Sequence, residues 1–389
     1  MKILLFSSLF PSSVRPVHGI FVETRLRELL KSGQVQARVV APVPWFPFQS
    51  PRFGAYAQFA ATPRFEHRNG IEVHHPRYLL APKVGMHLAP YAMARAAWPT
   101  LRQLQRAGFD FQLIDAHYYY PDGVAAALLA RWSNKPFVVT ARGSDINLIA
   151  RYALPRRWML DAAAKAAASI GVSQALTDQL VRLGADANKV KTMRNGVDLQ
   201  RFCPEPRTGA RQQLGLSMQK QYLLMVGNLV ELKGQHIAIE AIESIPALEL
   251  LLIGAGPLRQ SLQATAQRCG VADRVHFIGQ VAQDQLKWWY SAADALALCS
   301  RSEGWPNVLL EAMACGTPVL ATAVSGTPDI VNHPAAGVLL QQRDPAALVA
   351  AWQQLMQTPP SRAATRAHAQ GFSWDATTQA QLKLFRSLA

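Results

Sequence analysis

The sequence predicts an α/β protein built from two doubly wound parallel sheets. Short apolar runs alternate along the chain with segments of helical periodicity, which is the order of elements in open parallel sheets. Most of these runs are continuously apolar, as expected for parallel strands that helices cover on both faces. Twelve such runs are too many for one ordinary open sheet, so the 389 residues are expected to form two domains.

Each predicted strand is a short apolar run that ends in polar or glycine residues. The strands are predicted at 2–8, 37–43, 111–117, 136–142, 168–173, 190–195, 222–228, 248–254, 274–279, 295–300, 318–323 and 337–342. Helical patterns are predicted between them at 22–31, 123–132, 174–183, 235–244, 257–268 and 346–356. A terminal helix is predicted over 372–388.

The break between the two series of strands lies at 201–219, a polar stretch that contains two prolines. This predicts an N-terminal domain over 1–200 and a C-terminal domain over 201–371. The tail 372–389 is expected to pack back on the N-terminal domain. Ligands of such sheets bind at the carboxyl ends of the strands, so a cleft between two facing domains is the expected site.

The net charge of +15 is concentrated in the N-terminal half of the chain. Residues 1–200 hold 25 Lys and Arg against 12 Asp and Glu, which leaves +13 in that half. Such an excess suggests an anionic membrane surface or a polyanion as partner, although arginine used for solubility would give the same count. The basic, apolar segments 83–106 and 151–165 would suit a membrane interface or bury one face in the protein.

Other features of the composition bear on location and cofactors. The four cysteines form no CxxC pair, which favours reduced thiols and a cytoplasmic location. The start MKILLFSSLF is interpreted as a first strand, because no small-residue cleavage site follows it. No run of about 18 apolar residues is present, so no membrane-spanning helix is expected. There is no DxD motif or His/Cys cluster, so no metal is expected.

Three loops of the N-terminal half follow predicted strands and carry candidate site residues. Gly19 precedes a helix and would let backbone N–H groups approach an anion, or it is a simple turn residue. His117 ends a strand and could donate to a hydroxyl, although a lone histidine is often structural. Arg142 could meet a phosphate and Asp145 a hydroxyl, or the two could pair with each other.

In the C-terminal half, two glycine-containing loops follow strands. Lys233 lies in GNLVELKGQH (227–236), where a lysine would serve as a point charge for a leaving diphosphate. The second loop, GAGPLR (254–259), opens a helix. Neither loop is specific on its own.

The stretch SRSEGWPNVLLEAMACGTPV (300–319) places Glu303 before a turn and Glu311 inside the following helix. Asn307 is expected to cap that helix, which is predicted over 308–315. Its exposed N–H groups would form an anion pocket, with Glu311 on ribose hydroxyls and Glu303 on those of a sugar. The alternative is that Glu303 and Glu311 only interact favourably with the helix dipole and bind no ligand.

These motifs resemble the retaining glycosyltransferases of family GT4, which have the GT-B fold of two Rossmann-like domains. The resemblance covers nearly the whole chain. EGWPNVLLE (303–311) looks like the E-x7-E motif of that family, and SSLFPSSVRPVHGIFVE (7–23), NGVDLQRF (195–202), VGNLVELKG (226–234) and LIGAGPL (252–258) support it.

The resemblance implies a role for each matching residue. Glu303 would bind hydroxyls of the donor sugar, Glu311 would bind the ribose, and Lys233 would steady the diphosphate. His117 would contact the transferred sugar, and Gly19 would be the glycine of close approach in the N-terminal loop. The turn residues would complete the phosphate site through their backbone N–H groups; they are Gly304, Trp305, Pro306, Asn307 and Val308.

Asn228 departs from the family pattern, because relatives usually carry an arginine there that pairs with the lysine on the diphosphate. Asparagine is neutral and cannot supply that charge. The hypothesis is that Arg142 or Arg194 compensates from across the cleft.

The expected activity is therefore metal-independent, retaining transfer of a hexose from a UDP- or GDP-sugar. The expected acceptor is a polyprenyl-diphosphate-linked saccharide or another glycolipid at the inner face of the cytoplasmic membrane, in cell-surface or exopolysaccharide synthesis. A nucleotide-sugar epimerase on the same architecture is the alternative. A nucleic-acid-binding module is disfavoured because no such module is recognised, and an NAD-dependent dehydrogenase because GxGxxG is missing.

Overall fold

The computed structural model describes residues 1–80 and 85–388 of the chain. It divides into two compact units, one formed by Met1–Arg194 with Ala376–Ala389 and the other by Asn195–Asp375. Each unit contains one large sheet with helices around it. All twelve predicted strands are present, which confirms the α/β class.

The sheet of the first unit has eight strands. In spatial order they are Val190–Thr192, Ala168–Gly171, Phe137–Ala141, Leu113–His117, Lys2–Phe6, Gln36–Val40, Ile71–His74 and Phe65–Arg68. All neighbours are parallel except the last pair, which is antiparallel. The helices are Ile20–Lys31, Ala55–Ala61, Gly85–Arg106, Val124–Ser133, Ser144–Asn147, Ala153–Lys165 and Gln174–Arg182.

The core of the first unit forms around central strands that are buried on both faces. The strands Leu113–His117 and Phe137–Ala141 are buried along their whole length. The terminal helix Trp374–Leu388 contributes Leu382 and Phe385 to this core. The first two residues of the predicted amphipathic segment 83–106 lie outside the described residues, and the helix Gly85–Arg106 covers the remainder.

The second unit has a six-stranded, all-parallel sheet. Its spatial order is Val275–Gly279, Leu248–Ile253, Gln221–Val226, Ala295–Leu298, Val319–Thr322 and Gly337–Leu340. Its helices are Arg207–Leu214, Gln235–Ala241, Arg259–Arg268, Leu286–Ala292, Asn307–Ala314, Thr327–Ile330, Pro345–Gln357 and Arg362–Gln370. Leu250 and Leu252 of the sheet and Trp352 of a covering helix belong to one buried cluster.

The hairpin Phe65–Arg68/Ile71–His74 was not predicted from the sequence. Its turn residues Asn69 and Gly70 both have left-handed backbone angles, with φ of 50° and 77°. An Asn-Gly pair favours this two-residue turn, so the signal was available in the sequence. The short parallel pair Val43–Pro44/Arg77–Tyr78 carries no comparable signal.

Within residues 1–80 and 85–388, no helix combines the length and the apolar character that crossing a bilayer requires. The four cysteines are free, and Cys299 and Cys315 are buried.

Candidate active site

In the second unit, Lys233 and Glu303 meet at the carboxyl edge of the sheet. The strand Gln221–Val226 pairs in parallel with Ala295–Leu298, so the loops that follow these strands emerge side by side. Lys233 Nζ lies 2.6 Å from Glu303 Oε1, and the side chains are 25% and 10% exposed. The fold therefore joins two residues that lie 70 positions apart in the sequence.

The position of Lys233 depends on a tight approach between two backbones. Gly234 has a left-handed φ of 69°, and a Cβ at this position would lie 2.3 Å from the carbonyl oxygen of Cys299. Arg343 Nε donates to that carbonyl at 2.8 Å, and Arg343 Nη2 donates to the carbonyl of Glu231 at 3.1 Å. Sequence reasoning missed Arg343, which also follows a strand at the carboxyl edge.

The glycines of the loop 254–258 pack against the loop that carries Asn228. A Cβ on Gly254 would lie 1.9 Å from the carbonyl oxygen of Gly227, and one on Gly256 would lie 2.3 Å from that of Leu229. The need for glycine here is thus explained by contact between two loops of the protein. Asn228 is exposed, and its carbonyl accepts a hydrogen bond of 2.9 Å from the side chain of Gln235.

The helix after the turn begins one residue earlier than predicted, and this changes the role of Asn307. The helix spans Asn307–Ala314, and Pro306 stands at its N-cap position without a side-chain cap. The prediction that Asn307 caps the helix is wrong, because this residue is already helical. Its side-chain oxygen instead accepts a 3.3 Å hydrogen bond from Asn195.

Around the start of this helix, Gly304, Trp305 and Pro306 are buried, and Val308 is partly exposed in the first turn. Two N–H groups of the turn already have partners. Asn307 N donates to the carbonyl of Trp305 at 3.0 Å, and Leu309 N donates to that of Pro306 at 3.1 Å. An anion here would therefore have fewer backbone donors than the sequence predicted.

Glu311 lies in the same helix and has a perturbed acidity. Burial raises the pKa of its carboxyl group to about 7, although a hydrogen bond from Tyr290 opposes that shift. The Tyr290 hydroxyl donates to Glu311 Oε2 at 2.8 Å. Glu311 is thus a group whose charge changes near neutral pH, and its contact with Tyr290 was not indicated by the sequence.

In the first unit, His117 belongs to a buried polar network. Its side chain is 1% exposed, and Nδ1 contacts the guanidinium of Arg142. A guanidinium only donates, so the ring proton lies on Nε2, which faces Asp115 Oδ2 at 3.3 Å. Burial lowers the pKa of His117 to about 4, which keeps the ring neutral at pH 7. For His117 to contact a sugar, its ring would have to give up its contact with Arg142 or with Asp115.

The Asp145 carboxylate accepts hydrogen bonds from the local backbone. Its carboxylate accepts from the backbone N–H groups of Tyr119 at 2.9 Å, Gly143 at 2.8 Å and Arg142 at 3.1 Å. The Arg142 guanidinium lies 5.2 Å from the centre of the Phe21 ring. Asp145 therefore contacts Arg142 through the Arg142 backbone N–H group, and binding of a phosphate by Arg142 or of a hydroxyl by Asp145 stays a prediction.

Gly19 is required by packing inside the first unit. Its φ is 68°, and a Cβ would lie 2.2 Å from the carbonyl oxygen of Leu9. The close approach at this residue is thus made to the loop after the first strand. Arg194, the other candidate for compensation at Asn228, is exposed.

A cavity of about 190 Å³ lies at the carboxyl edge of the first sheet. Its lining includes Ser8, Ser12, Arg15 and Phe59. Burial lowers the pKa of His18 in this lining to about 4, so Arg15 carries the charge there at neutral pH. The cavity is large enough for a single sugar ring and offers hydroxyl, cationic and aromatic contacts.

Within the described part of the chain, no group of three or more His, Cys, Asp or Glu side chains is placed to hold a metal ion.

Two family models match the sequence. The model described as Glycosyltransferase Family 4 matches residues 25–201, and that described as Glycosyl transferases group 1 matches residues 206–372. TuaC of Bacillus subtilis (strain 168), whose name assigns it to teichuronic acid biosynthesis as a glycosyltransferase, is 32% identical over 333 residues. The alignment covers 84% of this chain and 82% of TuaC. A D-inositol 3-phosphate glycosyltransferase of Frankia alni is 32% identical, with coverages of 71% and 74%.

Solved structures share the fold over the whole chain. Sucrose-phosphate synthase from Thermosynechococcus elongatus has a TM-score of 0.82 at 23% identity, covering 100% of this chain and 99% of that one. HepE of Anabaena in complex with UDP-glucose has a TM-score of 0.76 at 22% identity, covering 100% of each chain. At these identities the likeness concerns the fold, and it confirms the predicted fold class.

Proposed function

The chain belongs to the group 1 glycosyltransferases and has the GT-B fold, and we propose that it is a metal-independent, retaining hexosyltransferase. The proposed donor is a UDP- or GDP-sugar, and the proposed acceptor is a lipid-linked saccharide. The observation that carries the donor proposal is the 2.6 Å pair of Lys233 and Glu303 at the carboxyl edge of the second sheet. The relatives described above are named as glycosyltransferases, which gives the epimerase alternative no support.

The pair of Lys233 and Glu303 has the chemistry that a nucleotide sugar needs. An ammonium group stabilises the negative charge that develops on a leaving diphosphate. A carboxylate accepts hydrogen bonds from sugar hydroxyls. Without donor the two groups neutralise each other. When the donor binds, Lys233 would turn to the diphosphate and Glu303 to the sugar, while Glu311 would accept from the ribose.

The proposed chemistry is a displacement on one face of the sugar, with the leaving phosphate taking the proton of the acceptor hydroxyl. The bond from the sugar carbon to the phosphate oxygen breaks as the bond to the acceptor oxygen forms. Lys233 and the start of the helix Asn307–Ala314 would stabilise the departing diphosphate. His117, neutral at pH 7, would orient the reacting sugar after exchanging one of its present contacts. No step in this scheme requires a metal.

The neutral Asn228 leaves the diphosphate site one positive charge short of the family pattern, and we keep the compensation by Arg142 or Arg194 as a proposal. Both variants, Arg142→Ala and Arg194→Ala, would be assayed for turnover with saturating donor. Unchanged turnover in both variants would show that neither arginine supplies the charge that Asn228 lacks.

For the acceptor, the charge distribution favours an anionic surface. The exposed segment at the start of the helix Ala153–Lys165 carries Arg156 and Arg157 beside Tyr152, which is 60% exposed, and Leu154, which is 40% exposed. Basic side chains mixed with apolar ones suit the headgroup region of an anionic membrane. A relative is named for teichuronic acid biosynthesis, which supports a cell-surface saccharide as product.

A panel of ligands tests the donor proposal directly. We expect thermal stabilisation by one nucleoside diphosphate and its sugar among UDP, GDP and ADP compounds, and a smaller shift in Lys233→Ala. Transfer would then be assayed with a lipid-linked saccharide, by mass spectrometry of the products. A change in the donor when it is incubated alone would instead favour the epimerase. Equal shifts with every nucleotide, or none, would contradict the proposed donor site.

A further inference from the structure

Residues 45–59 of the first unit form an exposed surface rich in aromatic side chains, here named the aromatic loop. It lies between the strands Val43–Pro44 and Phe65–Arg68. Trp45 is 50% exposed, Phe48 is 55% exposed and Tyr56 is 48% exposed. Large side chains of this kind rarely stay in water as a group unless they bind something.

Most of the aromatic side chains of this loop pack against one another. The ring of Phe46 lies 6.0 Å from that of Phe48, 5.2 Å from that of Phe53 and 5.2 Å from that of Tyr56. Phe48 also stacks on Phe53 at 5.5 Å. The exposed rings of Phe48 and Tyr56 therefore belong to a preformed cluster, which lowers the entropy cost of burying them against a partner.

The charge of this region restricts the partner. From residue 45 to residue 65 there is no acidic residue, while Arg52 and Arg64 are both exposed. Arg52 lies 4.8 Å from the centre of the Phe53 ring. Tryptophan and tyrosine beside arginine are the side chains that favour the interface of a bilayer, where one end is apolar and the other is wet.

The aromatic loop also borders the cavity at the carboxyl edge of the first sheet. Phe59 at the end of the loop lines that cavity, and the Arg15 guanidinium lies 5.1 Å from the centre of its ring. Pro44, just before the loop, lines it as well. An apolar surface thus adjoins a cavity of about 190 Å³ whose lining includes serine and arginine, as a lipid-linked saccharide would require.

We propose that the aromatic loop contacts membrane lipid, with Trp45, Phe48 and Tyr56 at the boundary between the headgroups and the lipid chains, while the adjoining cavity holds the first sugar of the acceptor. The evidence for contact with lipid is the exposure of the three rings and the absence of acidic residues from residue 45 to residue 65. The placement of the acceptor sugar rests on the proposed function.

The test compares two variants of the full chain. The triple variant Trp45→Ser/Phe48→Ser/Tyr56→Ser removes the exposed rings of the aromatic loop. The control variant is Trp132→Ser/Met218→Ser, which removes apolar side chains elsewhere that are 42% and 39% exposed. Vesicles of about two parts phosphatidylcholine to one part phosphatidylglycerol are pelleted with each protein. We expect the partition coefficient to fall on the order of tenfold for each ring removed, and to change little in the control. Trp45→Ser alone provides a milder variant, and thermal melting checks that each one folds.

A kinetic comparison separates the lipid contact from the saccharide site. With a long-chain lipid-linked acceptor, the KM of the triple variant is expected to rise about as much as vesicle binding falls, with kcat retained. With a water-soluble, short-chain form of the same acceptor, KM is expected to stay at the wild-type value. An equal rise for both acceptors would overturn the lipid contact, and so would vesicle binding at the wild-type level.

Two further outcomes are informative. If light scattering shows that the wild type self-associates and the triple variant does not, a second copy of the chain covers the loop and the proposal is wrong. If no donor and acceptor give transfer, the proposed function fails, but the vesicle experiment still decides the contact with lipid.

Discussion

Glu311 provides the sharpest test of the donor site, because its charge changes within an accessible pH range. Burial raises the pKa of this carboxyl group to about 7. If Glu311 accepts hydrogen bonds from both ribose hydroxyls, the ionised form is the one that binds. Donor affinity should therefore rise as the pH increases through 7 and level off above it. The variant Glu311→Gln removes the titration while keeping the shape of the side chain.

The size of the effect follows from the pKa. With a value of about 7, roughly a tenth of the carboxyl groups are ionised at about pH 6 and roughly nine-tenths at about pH 8. The association constant of the donor should thus increase about tenfold over this range, which is about 1.4 kcal/mol of binding free energy. Glu311→Gln should bind donor weakly with little dependence on pH.

Titration calorimetry with a nucleotide sugar is the appropriate assay. Both ends of its diphosphate are esterified, so the charge of the ligand stays constant over this range. Tyr290→Phe is a second variant, because the Tyr290 hydroxyl donates to Glu311 at 2.8 Å and so favours its ionised form. Its loss should raise the pKa of Glu311 further and move the rise in affinity to higher pH.

Two results would refute this reasoning. A wild-type affinity that is constant between about pH 6 and pH 8 would show that the ionised carboxylate is not required. A slope that persists in Glu311→Gln would assign the titration to another group.

Further expectations concern the residues that hold the lysine loop and its chemistry. Gly234→Ala should destabilise the protein by about 1–3 kcal/mol more than the control Gly215→Ala, as measured by calorimetric melting. Both glycines have a left-handed φ, but only Gly234 has backbone atoms within 4 Å of the added Cβ. Equal losses of stability in the two variants would contradict the tight approach at Gly234. Lys233→Ala should lower kcat by about 100-fold, which is the scale of losing one electrostatic contact in the transition state. The control Lys287→Ala removes an ion pair with Glu205 and should leave kcat unchanged. EDTA should leave turnover unchanged, and activity that returns only with a divalent cation would refute the metal-free scheme.

Much of the fold was predictable because the strands are continuously apolar and lie between helical patterns. The same reasoning placed Lys233 and Glu303 at the ends of strands, and parallel neighbours bring such ends to one edge. The sequence therefore indicated a common edge for these two side chains, and the spatial order of the strands made them neighbours. The hairpin at Asn69-Gly70 was not predicted, although its turn residues favour it, because its two strands have only four residues each and are partly polar.

Other features depend on contacts that a linear pattern does not contain. The glycine loop GAGPLR (254–259) was recognised from the sequence only as the start of a helix, and its two glycines are explained by the backbone of the loop 227–230. Asn307 had the residue type of a helix cap, but the turn before it places the residue inside the helix. Arg343 lies far from the lysine loop in sequence, and only the return of the strand Gly337–Leu340 to the carboxyl edge brings it there.

The sequence alone determined the class of the fold, the division into two series of strands and the residues that carry chemistry, because these depend on apolar periodicity and on residue type. The tertiary structure decided which of those residues touch and what their environments do to them. The pairing of Lys233 with Glu303, the pKa of about 7 at Glu311 and the buried network of His117 arise from packing between distant segments. Desolvation and hydrogen bonding act through space, so their effects appear only when the chain is folded.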